Sequence, residues 1–308
     1  MSGTIKSPVL VLEATGIIGR GVVEAAIARG WPVVAVAQDI DGLERLRRLH
    51  AHAELTTLVG SIASDADAAQ LAARLREFGR SLAGVVVAVV GGRARGRLLD
   101  QPSATLCQQL DRDLLPHLAA AGQLLPLLAQ GGRGGSYVLI GGPGSEMPWA
   151  GYGHRSVAAA ALRMLASVLH DEARTLGLRL QLLSVDVPVC AEQEGIKACP
   201  HWPTAASIGD RALELIHRDG GLQAQAIVHY DRQKRADAAP TAARDGHDGV
   251  SSYVRHLLAK ALHGETRPAI RAAQDPDIRA RRKPRRYPAA PVASEPDALT
   301  FPQRQAPP

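Results

Sequence analysis

Strand-length apolar runs alternate with helix-length runs along the first three quarters of the chain, and few folds accept that rhythm. "PVLVLE" (8–13) precedes the helical stretch "IIGRGVVEAAIARG" (17–30), and "PVVAVA" (32–37) precedes "DGLERLRRLHA" (41–51). The pattern repeats with "LTTLVG" (55–60) before "DADAAQLAARLREFG" (65–79), and with "GVVVAVVGG" (84–92) before one long helix expected from about Ser103 to Gln130. It continues with "SYVLIGG" (136–142), the helical stretch 152–177, "LRLQLLSVDV" (178–187), the helical stretch 206–220 and "AQAIVHY" (224–230). The strand-like runs are apolar on both faces, as parallel strands must be when helices cover each side of their sheet. Strict alternation predicts an α/β class chain with a doubly wound, mostly parallel sheet of the Rossmann type.

The first turn shows what such a sheet is built to hold. It reads Glu13-Ala14-Thr15-Gly16-Ile17-Ile18-Gly19. A helix that starts here presents unpaired N–H groups and the positive end of its dipole, so it attracts a phosphate. Gly16 would let the phosphate approach and Gly19 would let the helix pack on the strand.

The chain has 308 residues, room for one large domain or two small ones. Its formal charge of +6 is unevenly placed. Residues 1–232 carry 22 Lys+Arg and 22 Asp+Glu, whereas residues 233–308 carry 14 and 8. The text also changes after Asp231, to Ala, Pro, Asp and Arg with "RARRKPRR" at 279–286. We therefore read a Rossmann domain over 1–232 and a basic, largely disordered tail over 233–308. Within the tail, Val250, Tyr253, Val254, Leu257, Leu258, Ala261 and Leu262 recur at helical spacing and predict a short helix at 249–263. Aromatics make up only 3% of the chain, which argues against nucleic-acid readout by stacking. No apolar run reaches the roughly 18 residues of a membrane span. The opening "MSGTIKSPVL" does not read as a secretory signal. Cys107, Cys190 and Cys199 form no CxxC pair, so no metal site is expected and a cytoplasmic location fits.

The turn, the alternation and a tyrosine after the fifth strand resemble the short-chain dehydrogenase/reductase (SDR) family over residues 7–232. That resemblance implies an NAD(P)(H)-dependent oxidoreductase acting on a carbonyl or alcohol, with either NAD or NADP as cofactor. The implied cofactor contacts are Glu13, Thr15, Gly16, Ile17, Ile18, Gly19, Gln38, Ser61, Gly91 and Gly92. Several fall on unusual residues. Glu13 takes the place of the family's first glycine. Gln38 stands where NADP-preferring members have Arg, and Ala37 where NAD-preferring members have an acid; Arg20 could face a 2′-phosphate. Ser61 replaces the adenine-contacting Asp.

The implied chemical set is thinner still. Tyr152 matches the family's proton-transferring tyrosine. The lysine four residues on is Ser156, the serine positions are Gly141 and Gly142, and the asparagine position is Asp113. Val185-Asp186 stands where the family usually has "PG". Arg155 is a candidate replacement cation, and Ser145 a candidate replacement for the carbonyl-polarising serine. An unassisted tyrosine has a pKa of about 10, poorly matched to acid–base work near neutral pH. Two readings follow: an SDR-like oxidoreductase with a degenerate site, or a non-catalytic SDR-fold nucleotide sensor or dimeric scaffold. His154 beside Tyr152 is expected to be an exposed helix residue. The surplus apolar faces of 103–130 and 152–177 point to a partner, and the resemblance makes that partner a second copy of the chain.

Overall fold

A computed structural model describes residues 6–89, 95–132, 134–189, 202–217 and 224–230. The basic tail and its expected helix at 249–263 lie outside the described residues. Seven strands form one sheet: β1 (Val9–Leu12), β2 (Val33–Ala37), β3 (Leu55–Val59), β4 (Gly84–Val87), β5 (Ser136–Gly141), β6 (Arg179–Ser184) and β7 (Ile227–His229). Their order is β3-β2-β1-β4-β5-β6-β7, and every pairing is parallel. In register, Val9 lies beside Val33 and Gly84, and Leu12 beside Val36 and Val87. The winding reverses between β1 and β4, which opens a crevice at their carboxyl ends.

Among the described residues, seven α-helices connect the strands: α1 (Ile17–Ala28), α2 (Ile40–Leu49), α3 (Asp65–Glu77), α4 (Ser103–Asp113), α5 (Leu115–Ala129), α6 (Gly153–Thr175) and α7 (Ala205–His217). The period of two along each strand sorts the core into two layers. Val9, Val11, Val33, Ala35 and Val86 point to a layer with α1, α2 and α7. Leu10, Leu12, Val34, Val36 and Val85 point to the opposite layer with α3, α5 and α6. Their uniform apolar sequence is thus the signature of a sheet covered on both sides.

Two contacts show how tightly the first layer closes. A Cβ on Gly209 of α7 would lie 2.4 Å from the Gly21 carbonyl oxygen of α1, so these helices touch backbone to backbone. The Arg29–Asp210 ion pair ties the same two helices. On the other face, His170 Nδ1 donates to the Leu180 carbonyl (2.7 Å) and links α6 to β6.

The single helix expected from Ser103 to Gln130 is two helices. Leu114, at φ −117° and ψ −54°, separates α4 from α5. Pro116 explains the break. Its ring would clash with the carbonyl four residues back in a continuous helix, whereas the first turn of a new helix accepts it. The break leaves Asp113, the last residue of α4, beside the site described next.

Candidate active site

The first strand ends in a strained turn. Glu13 stands at φ +58°, a left-handed conformation that favours glycine, and it is the one non-glycine with positive φ among the described residues. Ala14 N donates to Val36 O (3.0 Å), and Gly16 N donates back to Glu13 O (3.1 Å). The backbone at position 13 thus favours the glycine that the family resemblance implies there. Glu13 is half-buried, and burial raises its carboxyl above the ordinary value.

Gly16 is the N-cap of α1, exposed, at φ −67° and ψ 165°, and no side chain caps the helix there. A Cβ on Gly16 would meet only Glu13 O, at 3.3 Å, so the space above it is open. Gly19 is different. A Cβ there would lie 2.1 Å from Glu13 O and 2.8 Å from Ala14 Cα, so Gly19 lets the helix sit on its own turn. Thr15 and Ile17 are half-buried at the turn, while Ile18 is in the core.

Gln38 and Ser61, far apart in sequence, meet at the ends of β2 and β3. Gln38 Nε2 donates to Ser61 Oγ (3.0 Å), and Ser61 Oγ donates to Asp67 Oδ2 (3.2 Å) while accepting from Ala63 N (3.1 Å). They line a cleft of about 250 Å³ with Asp67, Gln70, Leu71 and Arg74. Gly91 and Gly92 lie outside the described residues.

Beyond β5, Tyr152 is the N-cap of α6. Its ring stacks on Trp149, with centroids 4.2 Å apart and planes inclined by 22°. The guanidinium over the Tyr152 ring belongs to Arg95, at 5.5 Å, and Gly96 is bridged to Tyr152 by the Gly96 N–Gly151 O hydrogen bond (2.9 Å). Arg155 lies over Trp149 instead, at 5.4 Å, and a Cβ on Gly142 would sit 3.9 Å from its Nη2. Arg155 thus reaches the position where the family has its serine. Trp149 and Arg95 went unnoticed in the sequence because each lies outside the family's catalytic positions. Only the stacking marks them.

Ser156, in the lysine position, is buried and committed. Its hydroxyl accepts from Trp149 N (2.9 Å) and donates to Tyr152 O (3.2 Å). Gly144 packs against it, since a Cβ there would lie 2.8 Å from Ser156 Oγ. Ser145 Oγ is buried without a hydrogen-bond partner among the described residues. Asp113 accepts from Gln109 Nε2, and its Oδ1 is buried without a partner among the described residues. Burial raises the Asp113 carboxyl, against the lowering effects of Gln109, Arg155 and Arg112. Asp186 accepts from Ser184 Oγ (3.0 Å) and lies 3.2 Å from His229 Nδ1. His154 corrects an expectation. It is 2% exposed rather than solvated, because it falls on the core side of the first turn of α6.

Comparisons with known proteins agree with this fold. The family profile described as enoyl-(acyl carrier protein) reductase matches residues 14–198, more than half of the chain. The chain belongs to the short-chain dehydrogenase/reductase family and has its oxidoreductase fold. A short-chain type dehydrogenase/reductase from Mycobacterium ulcerans superposes with a TM-score of 0.65 at 17% identity, covering 74% of this chain and 88% of that one. An NADPH-bound short-chain oxidoreductase from Pseudomonas aeruginosa PAO1, described as containing an atypical catalytic center, has a TM-score of 0.65 at 15% identity, covering 74% and 96%. No curated protein sequence matches the chain significantly. Among the described residues, no helix is long and apolar enough to cross a membrane and no cluster of metal-ligating side chains occurs.

Proposed function

We propose that the chain is an NAD(P)(H)-dependent oxidoreductase acting on a carbonyl or alcohol, with a rebuilt rather than inherited catalytic set. The observation that carries this reading is the donor end of α1. It lies at the switch point of the sheet, is uncapped by any side chain, and has open space above exposed Gly16. Such an end fits a diphosphate held by the N–H groups that follow Gly16, among Ile17, Ile18 and Gly19. The Gln38–Ser61 cleft fits the adenosine end. Gln38 carries no charge to favour or repel a 2′-phosphate, so NADP and NAD both remain suitable. Glu13 opposes binding by placing a carboxylate near the phosphates.

A bound nicotinamide would supply the hydride. The chain's own groups would orient the substrate and move its proton. In this reading Tyr152 is the proton-moving group and Arg95 the cation that faces its ring. Arg155 and Ser145 lie on the segments that replace the family's serine. The second reading, a non-catalytic nucleotide sensor or scaffold, is favoured by one observation. Ser156 leaves no lysine beside Tyr152, and its hydroxyl is spent on holding the Trp149 loop. Single-turnover assays with NADH and NADPH over a panel of ketones and aldehydes separate the two. Cofactor oxidation that Tyr152→Phe abolishes supports the enzyme, and cofactor binding with no oxidation across the panel supports the sensor.

The same proposal includes a homodimer. Leu115 and Leu118 on α5, and Val157, Met164 and Val168 on α6, are exposed at helical spacing. A second copy burying these stripes would form a helix-on-helix contact.

A further inference from the structure

We propose that the site takes a carbonyl compound that also carries a carboxylate, held by Arg95 and Arg155. This rests on the oxidoreductase reading and extends it to the substrate class. The two guanidinium groups come from different parts of the chain, one before the 96–152 bridge and one on the first turn of α6. They converge on one stacked ring pair, Arg95 over Tyr152 and Arg155 over Trp149.

Among the described residues, neither guanidinium has a carboxylate within ion-pair distance. Glu146 is held by Arg163 (2.7 Å) and lies 3.5 Å from His229. Asp100 lies 3.9 Å from Arg97. The acid that acts electrostatically on Arg155 is Asp113, whose Oδ2 accepts from Gln109 and whose buried environment disfavours its charge. The acids around the rings are therefore engaged or weakened, and the two cations are left with positive charge to place. A guanidinium over a ring face does not use its N–H donors on the ring, so both arginines can offer them to a carboxylate.

The body of the ligand follows from the same segments. Leu99, four residues after Arg95, is 88% exposed, and Met147, two residues before Trp149, is 77% exposed. A Cβ on Gly153 would lie 2.8 Å from Leu98 Cγ, which sets Leu98, next in sequence to Leu99, against the start of α6 and offers an apolar rim there. An acid with an alkyl chain between its carboxylate and its carbonyl would put charge on the arginines and methylenes on the rim.

The test is calorimetric titration of 5-oxohexanoate and of its methyl ester, without cofactor and with saturating NADPH. The acid should bind at least about tenfold tighter than the ester, as expected for one charge-assisted contact. Arg95→Met and Arg155→Met should each weaken the acid about tenfold and leave the ester unchanged. Arg155→Lys should retain part of the affinity. Arg97→Met, at an exposed arginine with Asp100 as its neighbour, should have no effect. Equal affinity for acid and ester, no binding of either, or indifference to both Met variants would overturn the proposal. Arginine-dependent binding of the acid with no NADPH binding would uphold the carboxylate site and sink the oxidoreductase reading.

Discussion

Replacing Glu13 by glycine should make the protein more stable, and the gain should have two separable parts. The first is conformational. An L-residue in the left-handed region costs roughly 1–2 kcal/mol, whereas glycine adopts it freely but gives up about 0.5–1 kcal/mol in chain entropy. At φ +58° the net gain for Glu13→Gly is about 0.5–1 kcal/mol at any pH, or roughly 1–4 °C in melting temperature for a domain of this size. The second part is electrostatic. Burial raises the folded-state carboxyl above its ordinary 4.5. Just above pH 4.5 the folded chain therefore holds more protons than the unfolded one, and its stability falls as pH rises through that window. Glu13→Gln removes this part and keeps the strained backbone. Denaturant unfolding from pH 4 to 8 should then show a Gln advantage that is absent below 4.5 and grows to a plateau above the folded value. The Gly variant should add a constant increment to it. Coincident Gly and Gln curves would refute the strain argument, and a Gln advantage independent of pH would refute the buried-charge argument.

His117 is fully buried with neither ring nitrogen bonded among the described residues, and burial holds its pKa down to about 4 from an ordinary 6.5. Between those values the unfolded chain takes up a proton that the folded chain refuses, so wild-type stability falls as pH drops from 6.5 toward 4. His117→Leu should be more stable at neutral pH by roughly 1–3 kcal/mol, with the gap widening across that window, as thermal melts against pH would show. Gly209→Ala should cost about 1–3 kcal/mol by overpacking, since its Cβ would sit 2.4 Å from the Gly21 carbonyl oxygen; an unchanged unfolding midpoint would mean that α1 and α7 can slide apart freely. Met164→Glu, at a position 66% exposed, should shift a dimer to monomer in sedimentation while leaving the monomer folded, and an unchanged sedimentation profile would place the dimer contact elsewhere.

The sheet was readable because buried parallel strands leave an uninterrupted apolar text, and Val9–Leu12, Val33–Ala37 and Gly84–Val87 are examples. The break at Leu114 was missed because the apolar spacing runs on through it; the signal was Pro116, which local geometry makes decisive. His154 looked exposed because charge-bearing residues usually are, yet helical phase turns it into the core beside Ser156. At the site, family positions located Tyr152 and the glycine turn. They gave no hint of Arg95 or Trp149, whose roles come from ring geometry that no spacing rule encodes. Glu13 is the mixed case. The sequence shows the missing glycine, but only the backbone angle shows that the turn still asks for one.

If the uncapped start of α1 binds a dinucleotide diphosphate, calorimetric titration of NADPH and NADH into wild type and Gly16→Val will show it. Gly16 has a backbone conformation that valine can adopt, and a Cβ there would crowd only the Glu13 carbonyl oxygen, at 3.3 Å, so the turn must give by a few tenths of an ångström and an unchanged circular dichroism spectrum is the check that the variant folds. Its side chain would nevertheless fill the approach that the phosphate needs. Wild type should bind at least one cofactor tighter than about 1 mM, equivalent to about 4 kcal/mol, and the folded variant should lose that binding. No heat from wild type at millimolar cofactor, or undiminished affinity in Gly16→Val, would contradict it.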